Sequence, residues 1–395
     1  MDDLGPRRVA AGARPQGQRD HNERLILSTL QRAGGLPASE LARVSGLSAQ
    51  AVSVILRRLG SEGLVRRGAP QRGRVGKPRV PVAIDPDGAL SLGLKIGRRS
   101  ADLCLVDFGG RVRRQIQATY RWPTPGPVLA LLRDGLRLLR AEAGGTWARV
   151  AGVGVAKPFE IWDWHEALGA PRGALDAWRE VDLAAEVADL SGLPVFVDND
   201  ATAACRAELV HGRGRDFRDF AYFFVGSFVG GGVVLNHSVF EGPFGNAGAF
   251  GSLPARDAEG RERQLIDVAS LFLLEEALAA AGAGPGRLWE RPDDWEDLGA
   301  PLRAWEAATG AAVARAAVAA CAVIDFEAVL IDGAFPAPVR ARVVAAARGA
   351  LAGLDRRGLA PIRVEEGRVG ANARALGAAT VPLVARFLLD THVTG

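Results

Sequence analysis

At 395 residues the chain is long enough for two or three domains, and 48% apolar with 24% charged side chains excludes a disordered or fibrous protein. No apolar run reaches the ~18 residues of a membrane span, and the first twenty residues lack the apolar stretch of a secretory leader, so a cytoplasmic protein without membrane contact is expected. Cys104, Cys205 and Cys321 lie far apart in apolar surroundings and read as buried free thiols; no Cys or His pair has zinc-ligand spacing, so neither a metal nor a cofactor is expected.

The charge is uneven. Residues 1–85 hold 15 Arg and Lys against 7 Asp and Glu, a net of +8 in a chain of net +4, which leaves −4 for the remainder. A basic front end on an acidic body points to nucleic acid held by the front end.

Residues 1–19, rich in Gly, Pro, Arg and Gln, read as a disordered tail. Residues 20–87 read as a winged helix-turn-helix. The first helix starts near Asp20, with Leu25, Ile26, Leu30 and Ala33 on one face, and ends at Gly34-Gly35. Pro37 suits the first turn of a second helix, with Leu41 and Val44 inward. Gly46 makes the turn, and Ser48 is a good N-cap for a third helix. There Val52, Ile55, Leu56 and Leu59 repeat at i, i+3, i+4 and i+7. The opposite face offers Ala49, Gln50 and Ser53 to base edges, with Arg57 or Arg58 on phosphate. Leu64–Arg67 and Val80–Ile84 read as the strands of a wing, whose Gly-rich tip carries Arg72, Arg74 and Lys77 for the minor groove. A module used only for protein contacts is the alternative; the basic wing and the small polar face argue for operator DNA. Pro81, Pro86 and Gly88 mark the passage to the body.

In the body, Leu90–Asp107 reads as a hairpin around Gly97–Ser100, and a further strand follows Phe108–Arg111. A helix over Val128–Ala143 and a buried strand over Val150–Val155 lead to an aromatic loop with Phe159, Trp162, Trp164 and His165, and Trp178 beyond it. After a helix over Val181–Leu190 comes Val195-Phe196-Val197-Asp198-Asn199-Asp200, a buried strand running straight into an Ala-rich helix. Ligands in open α/β sheets sit at the carboxyl ends of strands. An Asn flanked by two carboxylates there suits a polyhydroxylated ligand such as a sugar. Helix capping is the competing reading, but one residue suffices for a cap. A second hairpin spans Phe220–Leu235 around Gly226-Ser227-Phe228, and a glycine-rich loop covers Glu241–Ser252. A long helix over about Pro301–Ile324, a strand over Ala328–Ile331, a helix from Pro336, a strand over Ile362–Val364 and a last helix to Leu389 complete the chain. Two rounds of hairpin strands followed by alternating helices and strands imply an α/β body of two similar lobes around a cleft, although no internal repeat is legible.

The stretches VFVDNDATAACRAEL, FFVGSFVGGGVVLNHSVFEGPFGNAGAFG and GANARALGAAT, in this order and spacing, resemble the ROK family (repressor, open reading frame, kinase). With the winged helix in front, the chain resembles its repressor branch. The resemblance implies an actin-like, sugar kinase-like fold of two ribonuclease-H-like lobes, assembled as a homodimer or homotetramer. It also implies domain bounds: residues 20–87 for DNA binding, 88–200 with about 370–395 for the first lobe, and 201–369 for the second. Asn199-Asp200 match the family's Asn-Asp pair, whose Asp is the catalytic base in its kinases, and Gly245-Asn246-Ala247-Gly248 also match. The family's sugar-contacting Glu and zinc-binding His fall on Ala249 and Ser252, and Asp257–Gln264 replace its cysteine cluster. The resemblance thus places the effector on Asn199, Asp200, Gly245, Asn246 and Ser252. The kinases' Asp-x-Gly-Gly-Thr is Lys95-Ile96-Gly97-Arg98-Arg99-Ser100, their Gly-Thr-Gly is Gly226-Ser227-Phe228, and Asp332-Gly333-Ala334 stand at the adenosine-side glycines. A lysine in place of a metal-side carboxylate and bulk in place of bare glycine disfavour ATP. The expectation is a sugar-responsive repressor of a carbohydrate uptake or catabolism operon that is not an enzyme; an ATP-dependent sugar kinase fused to a DNA-binding domain is the alternative.

Overall fold

The computed structural model describes residues 15–70, 79–164, 170–171, 173–284 and 286–389, so the tail expected over residues 1–14, the wing-tip residues Arg72, Arg74 and Lys77, and His165 lie outside the described residues. The chain divides into two units, Met1–Asp198 with Ala378–Gly395 and Asn199–Gly377. The divisions fall near, but not at, those expected after residues 200 and 369.

In the first unit, α1 (Pro15–Ala33), α2 (Ala38–Ser45) and α3 (Ala49–Ser61) build the helical part of the winged helix. The first helix begins five residues before the expected Asp20, inside the expected tail. Ile26, Leu27, Leu30, Leu41, Val52, Ile55 and Leu59 are buried together with Thr29 and Gln31, whereas Ala33 and Val44, both expected inward, are exposed. Two turns separate the helices: Gly34 at φ 75° and Gly46 at φ 71° take the left-handed backbone that a side chain disfavours. Strands β2 (Val65–Arg67) and β3 (Pro81–Ile84) pair antiparallel, and a short strand β1 (Leu36–Pro37), which no periodicity announces, adds to the other side of β3. Pro81 is thus a strand residue paired with Pro37 rather than part of the linker.

The body sheet of this unit has the order β6-β5-β4-β7-β8, from β4 (Leu90–Ile96), β5 (Ser100–Asp107), β6 (Val112–Thr119), β7 (Val150–Lys157) and β8 (Val195–Asn199). Strands β4, β5 and β6 are antiparallel neighbours, and β7 runs parallel to β4. Parallel pairing requires a crossover, supplied by α4 (Pro125–Ala143), which buries Val128, Leu132, Leu136 and Leu139. Helix α5 (Leu183–Ser191), capped by Asp182, precedes β8. Trp178, whose indole donates to the Pro123 carbonyl, belongs to this core.

The second unit repeats the plan in the order β11-β10-β9-β14-β15, from β9 (Phe220–Val225), β10 (Val229–Leu235), β11 (Ser238–Phe240), β14 (Ala328–Gly333) and β15 (Val364–Glu366). Again an antiparallel meander is followed by parallel strands. Asp257–Gln264, where the cysteine cluster would stand, form the turn and second strand of a small hairpin, β12 (Pro254–Arg256) with β13 (Glu262–Gln264). Helices α6 (Asp200–His211), α7 (Leu271–Ala280), α8 (Gly299–Val323) and α9 (Ala337–Ala352) complete the unit. The stretch Glu296–Val323 is, against the sequence expectation, long and apolar enough to cross a membrane by length and composition, but half of its most apolar window is buried. Val313, Ala314 and Ala317 are fully sealed, and Gly310 lets α8 approach α9 so closely that a methyl group there would meet Ala346 at 2.6 Å. It is a core helix, and its composition reflects packing on several sides. The last helix, α10 (Ala373–Phe387), starts in the second unit and ends in the first.

Candidate functional site

The basic front end presents α3 as expected. Ser48 caps it by accepting from the Ala51 amide at 3.2 Å. Ala49, Gln50, Ser53 and Arg57 are all exposed on its outer face. Of the two arginines considered for phosphate, Arg58 is committed to Glu23 and Glu62, each at 3.0 Å, and so ties α3 to α1. Arg57 makes no ion pair among the described residues. Arg66 and Arg67 of β2 are both exposed.

At the start of the second unit Asn199 and Asp200 separate into different tasks. Asn199 is the N-cap of α6: its Oδ1 accepts from the Ala201 and Thr202 amides at 2.9 and 3.3 Å. Asp200 does not cap. Its Oδ2 receives Nη1 of Arg374 at 3.2 Å, and that guanidinium lies 5.2 Å from the Phe224 ring centroid. Both side chains of the pair are largely buried. The Nε of Arg374 is sealed from solvent with no hydrogen-bond partner among the described residues. Arg374 comes from the GANARALGAAT stretch, 174 residues away, and sequence reading gave it no role.

Helix α6 lies against β10 because β10 is nearly bare. A methyl group on Gly230 would come within 2.9 Å of the Ala201 side chain, and one on Gly232 within 2.5 Å of Cys205. The Glu241–Ser252 loop reaches the same strand: Gly248, at φ 79°, packs on Gly232 so tightly that a methyl group would sit 2.6 Å from its Cα. Arg206 of α6, buried, donates to Glu241 at the start of this loop. The glycines therefore gather the first turn of α6 and the loop around one strand. On the loop, Gly245 takes φ 67°. Asn246 is half-buried and makes no side-chain hydrogen bond among the described residues, and Ser252 is exposed.

Lys95, Phe228 and Asp332, which stand where the resemblance places the nucleotide positions of family kinases, each have partners within the chain. Lys95, almost buried, places Nζ 2.9 Å from Asp102 Oδ2 and 3.1 Å from Ser100 Oγ. Burial pushes the Asp102 carboxyl up, but Lys95 and the amides of Gln115 and Gln117 outweigh it and hold the group below its ordinary range. Phe228 packs on Phe272 with centroids 5.6 Å apart, in a turn whose carbonyls at Gly226 and Ser227 accept from the first turn of α7. Asp332 is fully buried and accepts from Gly333, Gly370, Arg340 and Tyr222. Burial raises its carboxyl; the neighbouring Glu208, held by the amides of Arg213, Arg368 and Val369, is raised by burial and by Asp332. Cys104 and Cys205 are buried free thiols as expected, and Cys321 is half-exposed.

The ROK family model matches residues 91–262, and a winged helix-turn-helix DNA-binding model matches residues 19–66. The xylose repressor of Bacillus subtilis is 21% identical over 232 residues, 59% of this chain and 60% of the repressor. A glucokinase of Streptomyces coelicolor is 29% identical over 164 residues, 42% of this chain and 49% of the kinase. Both matches thus span about half to three-fifths of those proteins. The crystal structure of a ROK family transcriptional regulator, a homologue of the E. coli MLC protein, superposes with a TM-score of 0.63 at 20% identity, covering 93% of this chain and 97% of that one. With a five-stranded mixed sheet in each unit and a three-helix winged module at the N-terminal end, these matches show that the chain carries a ROK family domain preceded by a winged helix-turn-helix.

Proposed function

We propose that the chain is a sugar-responsive transcriptional repressor of a carbohydrate uptake or catabolism operon, working in the cytoplasm as a homodimer or homotetramer. What supports this reading is the joining of a capped helix with an exposed polar face to a ROK domain in which Lys95 and Asp332, at positions expected for a nucleotide, are bonded within the chain. Operator DNA is contacted by Ala49, Gln50, Ser53 and Arg57, with Arg72, Arg74 and Lys77 from the wing tip. A neutral sugar or sugar derivative is held by Asn199, Asp200, Gly245, Asn246 and Ser252. An Asp carboxylate accepts hydroxyl protons by charge-assisted hydrogen bonds, roughly twice as strong as neutral ones. The effector changes operator affinity to the extent that it binds one conformation better than the other.

No phosphoryl transfer is proposed. Lys95 is paired with Asp102, Phe228 packs on Phe272 and Asp332 is paired with Arg340, which leaves none of these positions as the resemblance expects it in a kinase. Retention of Asp200, the position of the kinase base, and the likeness to a glucokinase favour the alternative of a sugar kinase with a DNA-binding domain. One set of measurements separates the two. Mobility shifts on duplexes enriched from a random pool should show binding by the full chain, none after deletion of residues 1–87, and a change with at least one monosaccharide of a panel. A coupled assay with the same panel should show no sugar-dependent ATP turnover. Turnover abolished by Asp200→Asn would establish the kinase instead.

A further inference from the structure

The outer face of α3 carries one residue that the polar reading leaves out. At about 100° per residue, Ser53, Arg57, Gln50 and Val54 follow one another within about 100° of arc. That arc lies opposite the buried Val52, Ile55 and Leu59. Val54 is 55% exposed. Valine is a poor choice for an exposed helix position, because its branched Cβ loses rotamer freedom against the preceding turn. Here it gains no burial in return. It stands in the second turn of the Ser48-capped helix, within the part that meets base edges when such a helix enters the major groove. Around it are Gln50, able to pair bidentately with adenine, Ser53, and the uncommitted charge of Arg57. Of the four bases only thymine shows a methyl group in that groove. An apolar branched side chain beside Gln50, at the edge of a basic, polar stripe, has its chemical match there.

We infer that Val54 is a specificity-determining residue: it packs on the C5-methyl of a thymine in the operator, beside the base pair read by Gln50. This rests on α3 being the DNA-reading helix. The test uses the full chain and the duplex it enriches most strongly from a random pool. Each thymine is replaced in turn by deoxyuridine, which removes the methyl and leaves the hydrogen-bonding edge intact. At one thymine per half-site the wild type should lose about fourfold in affinity, equivalent to the ~0.8 kcal/mol of one methyl-sized group leaving water. Val54→Ala should be indifferent to that same replacement while binding mixed-sequence DNA as the wild type does. The inference is overturned if no thymine position distinguishes the two proteins. It is equally overturned if Val54→Ala alters only the oligomeric state in sedimentation, which would assign the valine to a protein contact. If the folded wild type enriches no duplex at all, the reading of α3 itself fails, an outcome distinct from the other two.

Discussion

Asn199 and Asp200 are neighbours of similar size and polarity, yet they do different work. The Asn199 oxygen is spent on two α6 amides, and the Asp200 carboxylate faces the Arg374 guanidinium. Asn199→Ala should lower stability by about 1 kcal/mol, the usual cost of a lost N-cap. Asp200→Asn keeps the shape and removes the charge. It should bind operator as the wild type does, but lose about 1.5–3 kcal/mol of effector affinity, one to two decades. Thermal melts of both variants with the monosaccharide that shifts the wild type measure this. A full sugar-induced shift in Asp200→Asn would remove Asp200 from the effector site. The apposition of Asp200 and Arg374 was not legible in the sequence, because residues 174 apart in the chain meet only through the fold.

At the scale of elements, the glycines of β10 and of the loop after it are not interchangeable. Gly245 and Gly248 both take positive φ, but a methyl group at Gly245 meets nothing within 4 Å, whereas one at Gly248 runs into the backbone of Gly232. Gly245→Ala should cost only the left-handed strain, about 1–2 kcal/mol. Gly248→Ala should cost about 1–3 kcal/mol more, since backbone cannot rotate away from a clash as a side chain can. Urea unfolding of the pair measures the difference, and equal midpoints would show that the loop does not depend on that close approach. From sequence Glu241–Ser252 read as one glycine-rich loop; the structure divides its glycines into turn formers and packing surfaces.

For the molecule as a whole, acid sensitivity has an identifiable source. Burial, with Arg215 nearby, pushes the His211 ring down to about 3 from an ordinary 6.5. The unfolded chain therefore takes up a proton that the folded chain refuses between those values, so stability contributed by His211 is complete above about pH 6.5 and is lost as pH falls toward 3. Between pH 7 and pH 5 this amounts to at most about 2 kcal/mol. The raised carboxyls of Glu208 and Asp332 act with the opposite sign, so the contribution is best read as the difference between wild type and His211→Gln. Urea melts at the two pH values should show the variant losing less stability on acidification. An equal loss in both proteins would exclude His211 as the source.

The winged helix, the exposed polar face of α3, the order of strands and helices, and the ROK domain of the body were all decided locally, by apolar periodicity, caps and motif spacing. Those signals act within one or two turns or strands, so a single sequence displays them. Tertiary structure alone decided what depends on distant partners. It turned Val44 outward, made Glu296–Val323 a core helix rather than a membrane candidate, and added β1 to the wing. It also committed Arg58 to Glu23, brought Arg374 to Asp200, and buried Asp332 among donors from four other residues. In each case the outcome is set by which surfaces and charges meet after folding, and no local pattern of residues carries that information.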